Sequence, residues 1–359
     1  MDGEPHFPKQ NPYGKQKMKI LKSAGVAILA ILVSLGIGEA ICRLFVPYND
    51  TYPIDIIPDK KLPYLMRPNS IAKSIYGIEI KTNSMGFRSA EVNTKKYDGE
   101  IRVLGLGDST TFGYGVQSQE SYLARIEALA SSCPTGIYSG RLQTINTGHS
   151  AFNLTNYFDI LDAYGDQLNP DIITVGIMGN DYATDSIKYV IKDGVGITPG
   201  SFWDRYNVPT FVIRLLRKSA FYITTGNTIK QASQKWLLSS ATTDQAETQK
   251  QGESTVAALE KFAEYSREHD IPIVMIYLPT RDEVTSRTPS SMQFIQILKD
   301  YEKRPMIRFI NLLDHFDKYS ENSSLLFTRQ DSVHPSSSGH KIISEIIFSY
   351  LRSNYKICP

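Results

Sequence analysis

Ile101-Arg102-Val103-Leu104-Gly105-Leu106-Gly107-Asp108-Ser109-Thr110-Thr111-Phe112-Gly113-Tyr114-Gly115 reads as a buried strand that runs straight into a sharp turn carrying a serine. Ile101 to Leu106 is apolar except for Arg102, the pattern of a strand covered on both faces, and the glycines that follow let the backbone turn. Ser109 is thereby placed at the carboxyl end of a strand, the edge where open parallel sheets bind ligands. A helix predicted from Gln119 aims its positive amino end at the same spot. Other glycine-rich readings fail. A dinucleotide fingerprint needs a third glycine where Thr110 stands, a phosphate loop needs a lysine and none occurs from Ile101 to Gly140, and the lipase elbow needs glycine where Thr111 stands.

Beyond this stretch, apolar runs alternate with amphipathic segments, which predicts an α/β domain built on a parallel sheet with helices on both faces. Strands are expected over Ile101–Leu106, Leu142–Asn146, Ile172–Ile177, Ile273–Leu278 and Ile307–Leu312, and helices over Gln119–Ala130, Asn153–Gln167, Ser254–His269, Ser291–Lys303 and Ser337–Ser353. Five strands suit a flavodoxin-like, three-layer α/β/α order. The interval of about 182–252 is too long for a plain connection and reads as an insertion. Its first part, Phe202 to Thr225, mixes apolar and basic residues and suits packing against the domain, a lid, or a helix on a membrane surface. Its second, Ser239 to Gln251, is polar and expected to be mobile.

A serine hydroxyl needs a base to take its proton and a third group to orient that base. Asp331 and His334 supply both from one loop. A spacing of three lets the carboxylate fold back onto one imidazole nitrogen while the other faces Ser109. Pro335 biases His334 toward extended backbone, and Ser336 to Ser338 can cap the helix that follows. Of the other histidines, His6, His269, His315 and His340 read as surface or capping residues, and His149 adjoins Gly148 without a carboxylate at a telling spacing.

Four motifs occur in order: Gly107-Asp108-Ser109-Thr110, Asn146-Thr147-Gly148, Gly179-Asn180-Asp181 and Asp331-Ser332-Val333-His334-Pro335. Together they resemble the blocks of the SGNH (GDSL-like) hydrolases over roughly Ile101 to Leu351. One departure is Met178, where the family usually has glycine. The resemblance implies the flavodoxin-like SGNH hydrolase fold, a triad of Ser109, Asp331 and His334, and three oxyanion donors: the Ser109 and Gly148 backbone amides and the Asn180 side chain. Glycine at 148 suits a position where a side chain would crowd the substrate, and Asp181 reads as loop-stabilising. The segment Lys81 to Arg88 resembles one common in membrane-anchored members and is expected to act as a brace.

The 359 residues are 41% hydrophobic, enough for a sizeable core, and 39 basic against 37 acidic residues leave a net charge of +2, so no basic surface for nucleic acid is expected. From Ser23 to Gly38 there is no charge, and a helix over 20–46 would reach roughly 40 Å, enough to cross a bilayer. Glu39 and Arg43, four apart, can pair near its end. Lys9, Lys15, Lys17 and Lys19 precede it and Lys22 lies in its first turn, a bias that predicts a cytoplasmic amino end with the rest outside. No Ala-x-Ala cleavage site is evident. The expected organisation is a tail at 1–19, a transmembrane helix at 20–46, a connector at 47–99 with an edge strand near Ile75 to Ile80, and the hydrolase-like domain at 100–359. No metal or other cofactor is expected, since Cys42, Cys133 and Cys358 show no ligand spacing. In a flavodoxin-like fold the first and last helices lie side by side, so a Cys133–Cys358 disulfide is feasible in an oxidising compartment. The expected function is a membrane-anchored serine esterase acting outside the cytoplasm on an acylated small molecule or glycan. The alternatives are an O-acyltransferase with the same triad, a lipase or thioesterase, and a non-catalytic binding module.

Overall fold

The structure, a computed structural model, describes residues 12–45, 54–74, 77–133, 141–182, 189–226, 228–229, 245–328, 332–355 and 357–358. It divides into two compact units, Met1–Tyr48 with Val212–Ser240, and Asn49–Phe211 with Ala241–Pro359.

The larger unit is built on five parallel strands: β1 (Ile101–Gly107), β2 (Leu142–Asn146), β3 (Ile172–Ile177), β4 (Ile273–Tyr277) and β5 (Ile307–Asn311). Their spatial order is β5-β4-β3-β1-β2. The first connection runs outward from β1 to β2 and the next returns to the other side of β1, so the carboxyl end of β1 lies at the topological switch point. Helices on the two faces complete a three-layer α/β/α domain, with Tyr122–Ser131 packed beside Ser337–Tyr355 and Leu154–Leu168 beside Gln245–His269. The central strands form because they are buried: β2, β3 and β4 at every position and β1 at all but its first, while the edge strand β5 buries Ile307 and Ile310. Arg102, the charge inside β1, is fully buried and satisfied. Its guanidinium pairs with Glu100 at 2.7 Å and donates to the Leu168 and Asn93 carbonyls at 3.0 and 2.6 Å, which offsets the cost of burying a charge.

The first and last helices do end together, and Cys133 and Cys358 form a disulfide with their α-carbons 5.7 Å apart. Before β1, Ile71–Lys73 pairs antiparallel with Glu79–Lys81 as a separate hairpin; of the edge strand expected near Ile75 to Ile80, residues 75–76 lie outside the described residues. One expectation is corrected. The helix expected from Ser254 already begins at Gln245, inside the stretch read as mobile, because its polar residues are compatible with helix and the apolar face only starts later. Among the described residues the insertion otherwise contains the hairpin Val190–Lys192 with Val195–Ile197, the short helices Phe202–Arg205 and Thr210–Leu216, and a helical turn over 220–226.

In the smaller unit, the helix Pro12–Phe45 contains the stretch Ile20–Phe45, which is long and apolar enough to cross a membrane. Glu39 and Arg43 pair on it at 2.7 Å.

Candidate active site

Asp108 and Ser109 open the helical turn Ser109–Phe112 at the end of β1. The Asp108 carboxylate caps it, accepting the Thr110 amide at 2.8 Å. Gly113 ends it in a left-handed conformation at φ 80°, its amide shared between the Ser109 and Thr110 carbonyls, a geometry that favours glycine. Ser109 thus sits as the first residue of the turn, where a backbone amide has no intrahelical acceptor. The turn is held from outside by two side chains. Arg88, from the segment preceding β1, donates to the carbonyls of Phe112 at 3.0 Å, Val116 at 2.7 Å and Gly113, a guanidinium brace on the turn that carries Ser109. Burial holds Arg88 down at about 10, still charged at neutral pH. Asn146, at the end of β2, donates to the Thr111 carbonyl at 2.9 Å.

The structure brings His334 to Ser109, across 225 residues of sequence, with Nε2 2.9 Å from the serine Oγ. The His334 loop is pinned on both sides. Thr328 donates its amide to the His334 carbonyl at 2.9 Å, Ser336 donates to Leu326 at 2.9 Å, Phe327 bridges to Pro335, and Arg281 donates to Ser332 at 2.8 Å. The Tyr114 ring lies 5.4 Å from the imidazole. Asp331, the expected orienter of His334, lies outside the described residues.

Gly148 is buried against the turn that carries Ser109. A Cβ there would enter the backbone of Phe112 and Thr111, coming within 2.9 Å of the Phe112 Cα. Glycine at 148 therefore permits close approach of the β2 loop to the turn. Its amide donates to the Asn146 Oδ1 at 3.0 Å. Asn180 is exposed in the turn Gly179–Tyr182 that follows β3. Met178, in place of the family's glycine, is buried and its sulfur accepts the Thr110 hydroxyl at 2.9 Å. Asp181 accepts the Met178 amide at 2.8 Å and the Tyr157 hydroxyl at 2.9 Å, the loop-stabilising geometry expected of it. Burial and the neighbouring Asp108 raise its carboxyl well above the usual range.

Sequence reading overlooked Asp108 itself. It is 3% exposed, and desolvation pushes its carboxyl up to about 6 against the opposing pull of the Thr110 amide and His334. Its position next to the serine was the available signal. His149 proves structural: it stacks on Phe152 with 4.8 Å between rings, its Nδ1 meets the Thr147 carbonyl at 2.9 Å, and burial lowers it to about 4. His340, expected near the surface, is fully buried and accepts the Tyr122 amide at 3.2 Å, with burial lowering it to about 3.

A family model for the GDSL-like Lipase/Acylhydrolase family matches residues 106–342, well over half of the chain. Among solved structures, the chain is similar to a lipase/acylhydrolase from Enterococcus faecalis at 11% identity, covering 70% of this chain and 96% of that one with a TM-score of 0.41. It is also similar to a psychrotrophic esterase from Pseudoalteromonas at 14% identity, covering 70% and 97% with a TM-score of 0.39, and to an acetylxylan esterase from Geobacillus stearothermophilus at 15% identity, covering 70% and 93% with a TM-score of 0.38. No curated protein matches it. With its nucleophile-type serine at the switch point of the sheet and the family match spanning both that serine and the histidine beside it, the chain belongs to the GDSL-like lipase/acylhydrolase (SGNH) family, serine hydrolases acting on ester bonds.

Proposed function

We propose that Ser109 is the nucleophile, His334 its general base and Asp331 the group that orients the imidazole, and that the enzyme removes an O-acyl group, acetyl in the first instance, from a carbohydrate or envelope glycan outside the cytoplasm. The observation that carries the chemistry is the 2.9 Å approach of His334 Nε2 to the Ser109 Oγ. With Nε2 unprotonated, the serine hydroxyl donates to it and passes its proton across as the oxygen attacks the acyl carbonyl carbon. Collapse of the tetrahedral adduct breaks the bond to the alcohol, which leaves with the proton returned from Nε2. Water then attacks the acyl-serine with the same histidine as base, releasing the acid and restoring Ser109.

Negative charge builds on the former carbonyl oxygen in both halves. The Ser109 amide, first in its turn, and the Asn180 carboxamide, on the next strand end, are the donors assigned to it. The Gly148 amide joins them when it exchanges its bond to Asn146 Oδ1 for one to the substrate oxygen. Asp108 holds the turn rather than touching the acyl group.

The location follows from the amino-terminal part: a tail at 1–19, a single span at 20–46, a connector at 47–99 and the hydrolase domain from 100 onward. The lysines before the span favour a cytoplasmic amino end, and the Cys133–Cys358 disulfide suits an oxidising exterior. Incubation of the purified full-length protein with O-acetylated glycan tests the reaction. Release of free acetate with loss of glycan acetyl supports the esterase; acetyl recovered on a second glycan without free acetate makes it a transferase; no change in glycan acetylation rejects the substrate class.

A further inference from the structure

We propose that residues 212–226 of the insertion are a second membrane element, seated on the span through Glu39 and lying among the lipid headgroups. This rests on reading Ile20–Phe45 as the membrane helix. A carboxylate in such a stretch is costly unless partnered, and Glu39 has partners from the insertion. It accepts the Ser219 hydroxyl at 2.7 Å and the amides of Ala220 and Phe221 at 3.1 and 3.0 Å, capping the helical turn over 220–226. Arg43, already paired with Glu39, also donates to the Lys218 carbonyl at 3.1 Å. A Cβ at Gly38 would lie 2.9 Å from the Phe221 ring, so glycine lets the ring sit there without a shift. Between residues 20 and 45, Gly38, Glu39 and Cys42 are the positions that are not fully exposed.

The depth of that seat follows from helix geometry. Glu39 lies six residues before Phe45, roughly 9 Å from the end of the apolar stretch, and the stretch exceeds a hydrocarbon core of about 30 Å. With Ile20 at one face of that core, Glu39 lies roughly 28 Å across it, so the cap falls at the boundary between hydrocarbon and headgroups. The seated segment has the matching chemistry. Leu215 is 66% exposed, and Phe211, one turn earlier on the same helix face, is 69% exposed, while Arg214, Arg217 and Lys218 supply cations among them. Apolar side chains mixed with cations on short helices are what an anionic lipid interface accepts. By chain connection alone, the hydrolase unit joins the membrane unit after residue 48 and again on both sides of residues 212–240.

The test uses the full-length protein with Cys42→Ser and single labelling cysteines Leu215→Cys, Leu29→Cys in mid-span, or Lys299→Cys on the hydrolase unit. Each is labelled with bimane and reconstituted in phosphatidylethanolamine–phosphatidylglycerol vesicles, with or without brominated acyl chains. Loss of fluorescence is expected at 29 and 215, stronger at 215 when bromine sits near the headgroup end, with none at 299. Adding Glu39→Ala should abolish the loss at 215 and keep it at 29. Quenching at 29 without quenching at 215 overturns the second element and leaves the span standing. No quenching at either position overturns both, and quenching at 215 that survives Glu39→Ala overturns the seating by Glu39.

Discussion

Replacing both Cys133 and Cys358 by alanine should cost much of the hydrolase domain's stability. The two residues are 225 apart in sequence, so the bond closes nearly the whole domain into one loop. In the chain-entropy treatment a loop of that length removes about 18 cal/mol/K from the unfolded chain, about 5 kcal/mol at 25 °C. Removal of native disulfides typically costs about 2–5 kcal/mol, so a loss of about 3–5 kcal/mol is expected, against a total that for ordinary domains is about 5–15 kcal/mol. Urea unfolding of the full chain in detergent, followed by circular dichroism, should show the midpoint falling by about 1–2 M. Each single alanine variant should fall as far as the double one, because either breaks the same loop. Alkylation under denaturing conditions without reductant should modify only Cys42, the free cysteine among the described residues. An unchanged midpoint, or alkylation of Cys133 and Cys358 in protein recovered from its native compartment, would refute the reasoning and with it the oxidising location.

Gly148→Ala forces a Cβ into the backbone of Phe112 and Thr111, which cannot yield as a flexible side chain would. A stability loss of about 1–3 kcal/mol and a kcat reduction of about a hundredfold from displacement of Ser109 are expected, and wild-type values for both would contradict the packing described. Asn180→Ala should lower kcat about a hundredfold or more while leaving KM little changed; a pure KM effect would remove Asn180 from the oxyanion site. Asp108 has a folded pKa of about 6, above its usual 3.8, so the folded state keeps a proton that the unfolded chain gives up. Its contribution is full below pH 3.8 and is lost as pH rises through 6, about 3 kcal/mol in all. Asp108→Asn keeps an oxygen for the Thr110 amide and should flatten this slope. Unfolding free energies of the two proteins that differ by a constant from pH 4 to 7 would contradict that shift.

Much of the site was legible because its signals are local. The buried strands announce themselves as apolar runs, and β2 and β3 begin and end where the runs do. The disulfide followed from which helices a flavodoxin-like order places side by side. Arg88 was legible only as part of a motif, since its partners are backbone carbonyls, which carry no residue identity in a sequence. His340 was misplaced because a histidine on an amphipathic helix is buried or exposed according to which face meets a neighbour, here the start of the Tyr122–Ser131 helix. The backbone partner of Gly148 was hidden for a related reason: it is a turn about 36 residues earlier, which only the fold brings near. Glu39 read as a partner for Arg43, and its larger role as a cap for residues 219–221 lay 180 residues away.

The proposal that Ser109 is the nucleophile is tested most directly by reaction of the full-length protein with a fluorophosphonate, followed by mass spectrometry of its peptides. One adduct per chain on the peptide holding Ser109 is expected, absent in Ser109→Ala and strongly slowed in His334→Ala. An adduct on another serine, or equal labelling of the wild-type and Ser109→Ala proteins, would contradict it.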